Sequence, residues 1–421
     1  MIDKQAITLF PMSLKGDVTI PPSKSLSHRA LICAALAEGE STISNIIYSE
    51  DILATISALE QLGAKFTKHK DNVTVKGVKK LKARNKEVFC NESGSTIRFM
   101  IPIFSLTNKE IHFTGKKSLI QRPQSIYQEI FNEDGNTFIQ EEDKIVVKGS
   151  IKGREYRIPG NVSSQFFSGL MFSLPLLYED STIYVEGTLE SKSYIDLTID
   201  ILKDFGIDID VIENGYFIEG SQKYKPHNYR VEGDYSQAAF FLVAGVINGA
   251  IKVEDLKQDS SQGDQAIIDI IQDMKGKIIF TENGFVTSTS KTTSTTIDLA
   301  NCPDLGPIVC LLGAVSSGTT KIINAGRLRI KESDRIESTV ETLKALGANI
   351  SATEDTITII GRKSLAGAVT VDSYNDHRIA MMIAIAALRC EKEITLTNPT
   401  AVKKSYPHFF EDYRHIGGKY K

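Results

Sequence analysis

The feature that most constrains this chain is an internal repeat, because a fixed period restricts the fold before any single residue is weighed. In each copy a small polar cluster opens an Ala/Leu-rich helix. A glycine-containing turn and a β-branched strand follow, then more polar residues, then a second helix that often stops at a Leu-Gly-Ala-like end. The first copy runs from Ser23-Lys24-Ser25 through ALICAALAEG and STISNI to DILATISALEQLGAKF. The second opens at Glu92-Ser93-Gly94-Ser95-Thr96 and the third at Val162-Ser163-Ser164. Copies four to six open at Asp234-Tyr235-Ser236, Pro303-Asp304 and Asn375-Asp376-His377, each ahead of an apolar helix. The openings recur roughly every 70 residues, longer than most solenoid units, so closed repeated domains are expected rather than an open array. At 421 residues the chain exceeds one ordinary core, and two domains are expected.

The first four N–H groups of a helix lack intrahelical partners, and the macrodipole makes that end partly positive. Ser, Asp and Asn at the openings are natural N-caps. The same openings also carry cations: Lys24 and Arg29, Arg98, and Arg378. A cation there opposes the dipole unless an anion offsets it, and such a conflict between local rule and sequence marks a functional site. If the helix starts converge, they form an anion well.

Composition narrows the classes. The formal net charge of -3 gives no general basic excess of the kind that nucleic-acid or membrane-surface binders show. The apolar runs Phe240 to Ile247 and Ile379 to Leu388 fall short of the roughly 18–20 residues of a membrane span. Met1 to Pro11 lacks a basic segment followed by an apolar core, so no secretory signal is expected, and the expected location is the cytoplasm. Cys33, Cys90, Cys302, Cys310 and Cys390 are scattered without a CxxC pair and read as buried free thiols. The seven histidines show no HxxxH or HxH spacing, so no metal site is expected. The G-x-x-x-x-G at Gly313 to Gly318 lacks the lysine of a nucleotide P-loop.

Several segments combine cations with hydroxyls or acids: Ser23-Lys24-Ser25-Leu26-Ser27-His28-Arg29, Glu92 to Arg98, Arg327 to Arg335, Tyr374 to Arg378, and Lys403 to Pro407. Singly each is weak. With IQRP at Ile120 to Pro123, SSQ at Ser163 to Gln165, SKSYID at Ser191 to Asp196, VEGD at Val231 to Asp234 and Pro303-Asp304, they fall in one order. The chain thereby resembles the 5-enolpyruvylshikimate-3-phosphate synthases over nearly its whole length. That resemblance implies an α/β fold of the enolpyruvyl transferase type, an inside-out α/β barrel of six βαβαββ-type repeats, three per domain. One domain would span 23–231 and the other 1–22 plus 232–421, with helix starts facing a cleft that closes on substrate.

The resemblance also implies a reaction: transfer of the enolpyruvyl group of phosphoenolpyruvate to shikimate 3-phosphate by addition and elimination through a tetrahedral intermediate, with no cofactor. Ser25 and Arg29 match positions that hold the shikimate carboxylate. Ser163, Ser164, Ser191, Tyr194 and Lys331 match those that hold its phosphate, with Arg327 nearby, and Gln165 and Asp304 match ring-contacting positions. Lys24, Arg122, Arg335, Arg378 and Lys404 match the grip on phosphoenolpyruvate, with Gly94, Arg98 and Gln165 lining that pocket. Asp304 stands where a base near the 5-hydroxyl belongs and Glu332 where a proton donor to the methylene belongs, while Lys24, His377 and Lys404 would neutralise developing charge. The two substrates bring roughly six negative charges together, which calls for a cluster of Lys and Arg.

The chain departs from the commoner family pattern at Glu92 and Arg327, where Asn is frequent, and at Phe99. An acid at Glu92 either repels an anionic substrate or pairs with Arg98 or a neighbouring lysine. Gly94 leaves room for glyphosate, which the family binds in the phosphoenolpyruvate pocket. The alternative is the sister transferase acting on UDP-N-acetylglucosamine, whose loop cysteine has no counterpart in Lys116 to Arg122. A binder that had lost catalysis would be expected to lose cleft acids and bases, which this chain keeps. Small-molecule substrates and a monomer are expected, without nucleic acid or membrane.

Overall fold

The computed structural model describes residues 4–421. Its helices are, in chain order, α1 (Lys24–Leu36), α2 (Glu50–Gln61), α3 (Gly94–Ser105), α4 (Lys117–Ile120), α5 (Ser125–Glu133), α6 (Ser164–Ser173) and α7 (Lys192–Asp204). There follow α8 (Tyr235–Asn248), α9 (Ile267–Asp273), α10 (Gly306–Ala314), α11 (Arg335–Ala345), α12 (His377–Ala386) and α13 (Phe409–His415). The helices that open the repeats are apolar on every side, and such a helix is stable only when surrounded. Accordingly α1 is buried without a break from Leu26 to Leu36, and α10 and α12 are buried at every residue.

The strands follow a second periodicity. In Asn72–Lys76 the side chains of Val73 and Val75 are buried and Lys76 is exposed, the alternation of a sheet with one wet face. Repeat two shows the common arrangement. Glu87–Phe89 runs parallel to Ile111–Thr114, which pairs antiparallel with Lys144–Lys148, and Thr137–Gln140 closes the hairpin at the edge. Among the described residues there are six separate sheets, five of four strands and one of three. Among the described residues no sheet closes into a ring of strands, so the barrel of the expected fold is not a strand barrel.

By its contacts the chain divides into two compact units, Met1–Pro21 with Glu232–Lys421, and Pro22–Val231. Residues 1–3, part of the segment written 1–22 above, lie outside the described residues. Two strands mark the changeovers. Leu14–Thr19 precedes α1 in sequence but pairs parallel with Gly249–Glu254 in the sheet of repeat four. Tyr229–Arg230 precedes α8 but pairs parallel with Glu40–Ser44 in the sheet of repeat one. The N-terminal strand Ala6–Leu9 completes the sixth sheet antiparallel to Ile394–Thr397.

One local device matters for the site. Pro102 lies inside α3, so the carbonyl of Arg98 loses the N–H that a residue four positions on would donate. The hydroxyl of Tyr127 replaces it, donating to Arg98 O at 2.6 Å. Gly169 makes room, because a Cβ there would stand 2.2 Å from the Tyr127 hydroxyl. All five cysteines are free and buried, as their apolar settings predict. No helix among the described residues is long and apolar enough to cross a membrane.

Candidate active site

Five of the six openings are capped by their own side chains. Ser23, Ser93 and Ser163 accept from Leu26 N at 3.4 Å, Thr96 N at 3.1 Å and Gln165 N at 3.3 Å. Asp234 and Asp376 accept from Ser236 N at 2.9 Å and Arg378 N at 2.8 Å. The fifth differs. The turn Pro303–Leu305 leads into α10 with Pro307 in its first turn and no side-chain cap, which leaves Asp304 available for other partners.

In the Pro22–Val231 unit the candidate residues gather at the starts of α1, α3, α6 and α7. Arg98 is buried and its Nη1 donates to Gln165 Oε1 at 2.9 Å and to Ser163 Oγ at 3.5 Å, while its guanidinium lies over the Phe166 ring. Gln165 Nε2 in turn donates to Ser95 Oγ at 3.0 Å. Arg122 approaches the same place: a Cβ added at Gly94 would stand 2.8 Å from its Nη1. Glycine there lets a guanidinium and a bare helix start come together, the combination that recognises an oxyanion.

Arg29 is 2 % exposed. It donates to Thr198 Oγ1 at 2.8 Å, Ser25 O at 2.9 Å, Tyr194 O at 3.0 Å and Ser168 Oγ at 3.3 Å. Every one of these acceptors is a hydroxyl or a carbonyl, and none is a carboxylate. Burial draws its pKa down to about 10. Ser164 is buried beside the Ser163 cap, and Ser191 stands at the N-cap position of α7, without a side-chain cap bond, in the left-handed region at φ 53, a backbone state that costs energy for a residue with a Cβ. Lys24 donates from Nζ to Asp51 Oδ2 at 2.8 Å. Glu92 is buried and pairs with Lys116 at 2.8 Å, the neighbouring lysine of the two expected partners.

The candidates of the other unit form a denser charge cluster. Asp304 Oδ1 accepts from Lys331 Nζ at 3.2 Å and Arg335 Nη1 at 3.0 Å, and Oδ2 accepts from Arg378 Nη2 at 2.8 Å. Burial alone would raise its pKa, but Arg378, Lys331 and Arg335 outweigh it and hold the carboxyl well below the usual range. Arg335, 1 % exposed, also binds Glu332 Oε2 at 2.6 Å and Asp376 Oδ2 at 2.7 Å. Burial would lower its pKa, yet Asp376, Glu332 and Asp304 raise it. The Lys331 ammonium is drawn down by burial, pulled back by Asp304 and lowered again by Arg327 and Arg335. Arg378 Nη2 also donates to Ser236 Oγ at 2.9 Å. His377 is buried with Nδ1 3.8 Å from Asp376 Oδ1, and Lys404 Nζ donates to Asn375 O at 2.5 Å.

The sequence reading missed several of these partners. Asp51 and Ser168 lie on helices that carry no cation at their start, so no local conflict flagged them, and Thr198 lies beyond the Ser191 to Asp196 motif on α7. Asp376 was read as an opening residue only. Its second task, holding Arg335 across 41 residues, has no local signature.

A family model described as EPSP synthase (3-phosphoshikimate 1-carboxyvinyltransferase) matches residues 10–413. A 3-phosphoshikimate 1-carboxyvinyltransferase of Clostridium acetobutylicum is 49% identical over 420 residues, covering 98% of this chain and 97% of the relative. One from Clostridium novyi is 47% identical over 426 residues with the same shares. Among solved structures, EPSP synthase from Acinetobacter baumannii aligns with TM-score 0.83 and 26% identity, over 99% of this chain and 100% of that one. The enolpyruvyl transferase NikO from Streptomyces tendae aligns with TM-score 0.80 over 99% and 98% of the two chains, and at 15% identity it shares the fold alone.

Proposed function

The chain belongs to the EPSP synthase family, and from that membership we infer its reaction. It transfers the enolpyruvyl group of phosphoenolpyruvate to the 5-hydroxyl of shikimate 3-phosphate and releases phosphate, a step toward aromatic amino acids. The observation that carries this reading is the match along almost the entire chain to relatives of that name at 47–49% identity. The absence of cysteine from Lys116 to Arg122 speaks against the UDP-N-acetylglucosamine alternative.

For the residues we propose the following roles. Arg29 with Ser25 holds the shikimate carboxylate; a buried guanidinium bound only to neutral oxygens still lacks a counter-ion, and a carboxylate supplies it. Ser163, Ser164, Ser191, Tyr194, Arg327 and Lys331 hold the substrate phosphate. Lys24, Gly94, Arg98, Arg122, Gln165, Arg335, Arg378 and Lys404 serve phosphoenolpyruvate. The protein acts as a monomer in the cytoplasm.

Chemistry requires one proton to leave the 5-hydroxyl and one to reach the enol methylene. As its cations hold it, Asp304 is ionised but weakly basic. Substrate anions that take over Arg378, Lys331 and Arg335 would restore its basicity and fit it to receive the hydroxyl proton. The phosphoenolpyruvate carboxylate likewise competes with Glu332 for Arg335, which frees Glu332 to carry the proton to the methylene. Oxygen adds to C2, giving the tetrahedral intermediate; a methyl proton is then withdrawn as phosphate departs, and the enol re-forms. Lys24, His377 and Lys404 offset the charge that develops. Electrons and protons balance among these groups and the two substrates.

Phosphate release from phosphoenolpyruvate tests the reading. Release that depends on shikimate 3-phosphate and not on UDP-N-acetylglucosamine is expected; the reverse dependence would transfer the chain to the sister activity.

A further inference from the structure

We propose that α2, which contributes nothing to the site foreseen from sequence, is the element that positions Lys24 and the start of α3, acting through Asp51 and Thr55. The proposal rests on the role assigned to Lys24 above.

Lys24 and His28 stand four residues apart on α1, and Asp51 and Thr55 stand four apart on α2. At that spacing each pair shares one helix face. The two faces meet as two rungs: Lys24 Nζ donates to Asp51 Oδ2 at 2.8 Å, and His28 Nδ1 meets Thr55 Oγ1 at 2.7 Å. The second rung continues. Thr55 Oγ1 meets Thr96 Oγ1 at 2.7 Å, and Thr96 Oγ1 donates to Ser93 Oγ at 2.7 Å. Ser93 is the cap of α3, one residue before Gly94.

Counting hydrogens fixes the polarity of this chain. The single hydroxyl hydrogen of Thr96 is given to Ser93, so Thr55 must donate to Thr96. The hydrogen of Thr55 is then spent, so His28 must donate from Nδ1. Its Nε2 is left a bare buried acceptor without a hydrogen-bond partner. Burial, then the charges of Lys24 and Arg29, keep this imidazole neutral. His28, Thr55, Ser93 and Thr96 are all 0 % exposed, so water does not compete for these bonds. One face of α2 therefore sets the spacing between the start of α1 and the start of α3.

Asp51 is not needed by its own helix. α2 has no side-chain cap bond, and Asp51 Oδ1 has no hydrogen-bond partner, although the residue is only 6 % exposed. A buried carboxylate is retained at such cost when it is paired. Here it steers the Lys24 ammonium at 2.8 Å.

The test assays Asp51→Asn, Asp51→Glu and Thr55→Val with both substrates, and repeats Asp51→Asn in a Lys24→Met background. Wild-type turnover in the same assay tests the function on its own; its absence would defeat that reading and not the contact. Asp51→Asn is expected to lower kcat about 30-fold with both KM values within about threefold, because misplacing a reacting group by an ångström costs rate rather than ground-state binding. Asp51→Glu, which keeps the charge, is expected to recover most of that loss. Thr55→Val is expected to raise the KM for phosphoenolpyruvate about fivefold and leave that for shikimate 3-phosphate unchanged. In the Lys24→Met background Asp51→Asn should cost less than about twofold, since it acts through the missing lysine. Wild-type kinetics for Asp51→Asn, or an equal loss with and without Lys24, overturns the proposal. If Asp51→Asn does not fold, Thr55→Val carries the test, and wild-type kinetics in that variant overturns the proposal.

Discussion

Arg29 and Arg335 are both buried, at 2 % and 1 % exposure, and they are compensated in opposite ways. Arg29 bonds only hydroxyl and carbonyl oxygens, and burial lowers its pKa. Arg335 touches Asp304, Glu332 and Asp376, and those carboxylates more than reverse the effect of burial. The difference separates two ways of making an anion site. One keeps a cation short of counter-charge and leaves a ligand to supply it. The other surrounds the cation with acids, to two of which we assign proton transfer, so that a ligand must displace them.

The largest effect that sharpens this contrast is catalytic. Glu332→Gln should lower turnover by about 10²–10³-fold while shikimate 3-phosphate binding stays within about threefold, read by phosphate release and titration calorimetry. Normal turnover would remove Glu332 from the mechanism. Next comes stability. Arg335→Met strands three carboxylates together and should cost about 3–5 kcal/mol. Arg29→Met removes hydrogen bonds but no ion pair, and should cost about 1–2 kcal/mol. Thermal melts of the unliganded proteins decide; equal losses would break the contrast.

The pH dependence follows from the same cluster. The folded state holds the Asp304 carboxyl below its unfolded value, so the unfolded chain takes up that proton first as pH falls. This contribution is present at neutral pH and disappears through the acid range below the ordinary carboxylate pKa. Asp304→Asn should therefore flatten the acid limb of a stability profile. The smallest effect is local to Gly94. An added Cβ meets the end of a flexible arginine rather than backbone, so Gly94→Ala should fold normally, yet displace Arg122. Weakening of phosphoenolpyruvate and glyphosate by about tenfold is expected, with shikimate 3-phosphate unaffected.

Much of this was legible in the sequence because the repeat puts caps and cations at helix starts, where they leave local traces. Ser23, Ser93, Ser163, Asp234 and Asp376 cap the helices they were expected to open. Less legible were partners on second helices. Asp51 in a first turn looks like ordinary dipole compensation, and Thr55 looks like any helix-interior threonine. Glu92 stood out as an acid at an anion site, but only the fold brings Lys116 to it. For the changeover strands Leu14–Thr19 and Tyr229–Arg230 only the resemblance spoke, through the domain bounds it implied; their own residues carry a facing pattern but not the identity of the sheet they join.

Calorimetric titration of shikimate 3-phosphate into Arg29→Met and into Lys331→Met tests most directly the roles proposed for these two cations. Each variant should weaken binding about 100-fold relative to the wild type. Wild-type affinity in either variant would contradict the account.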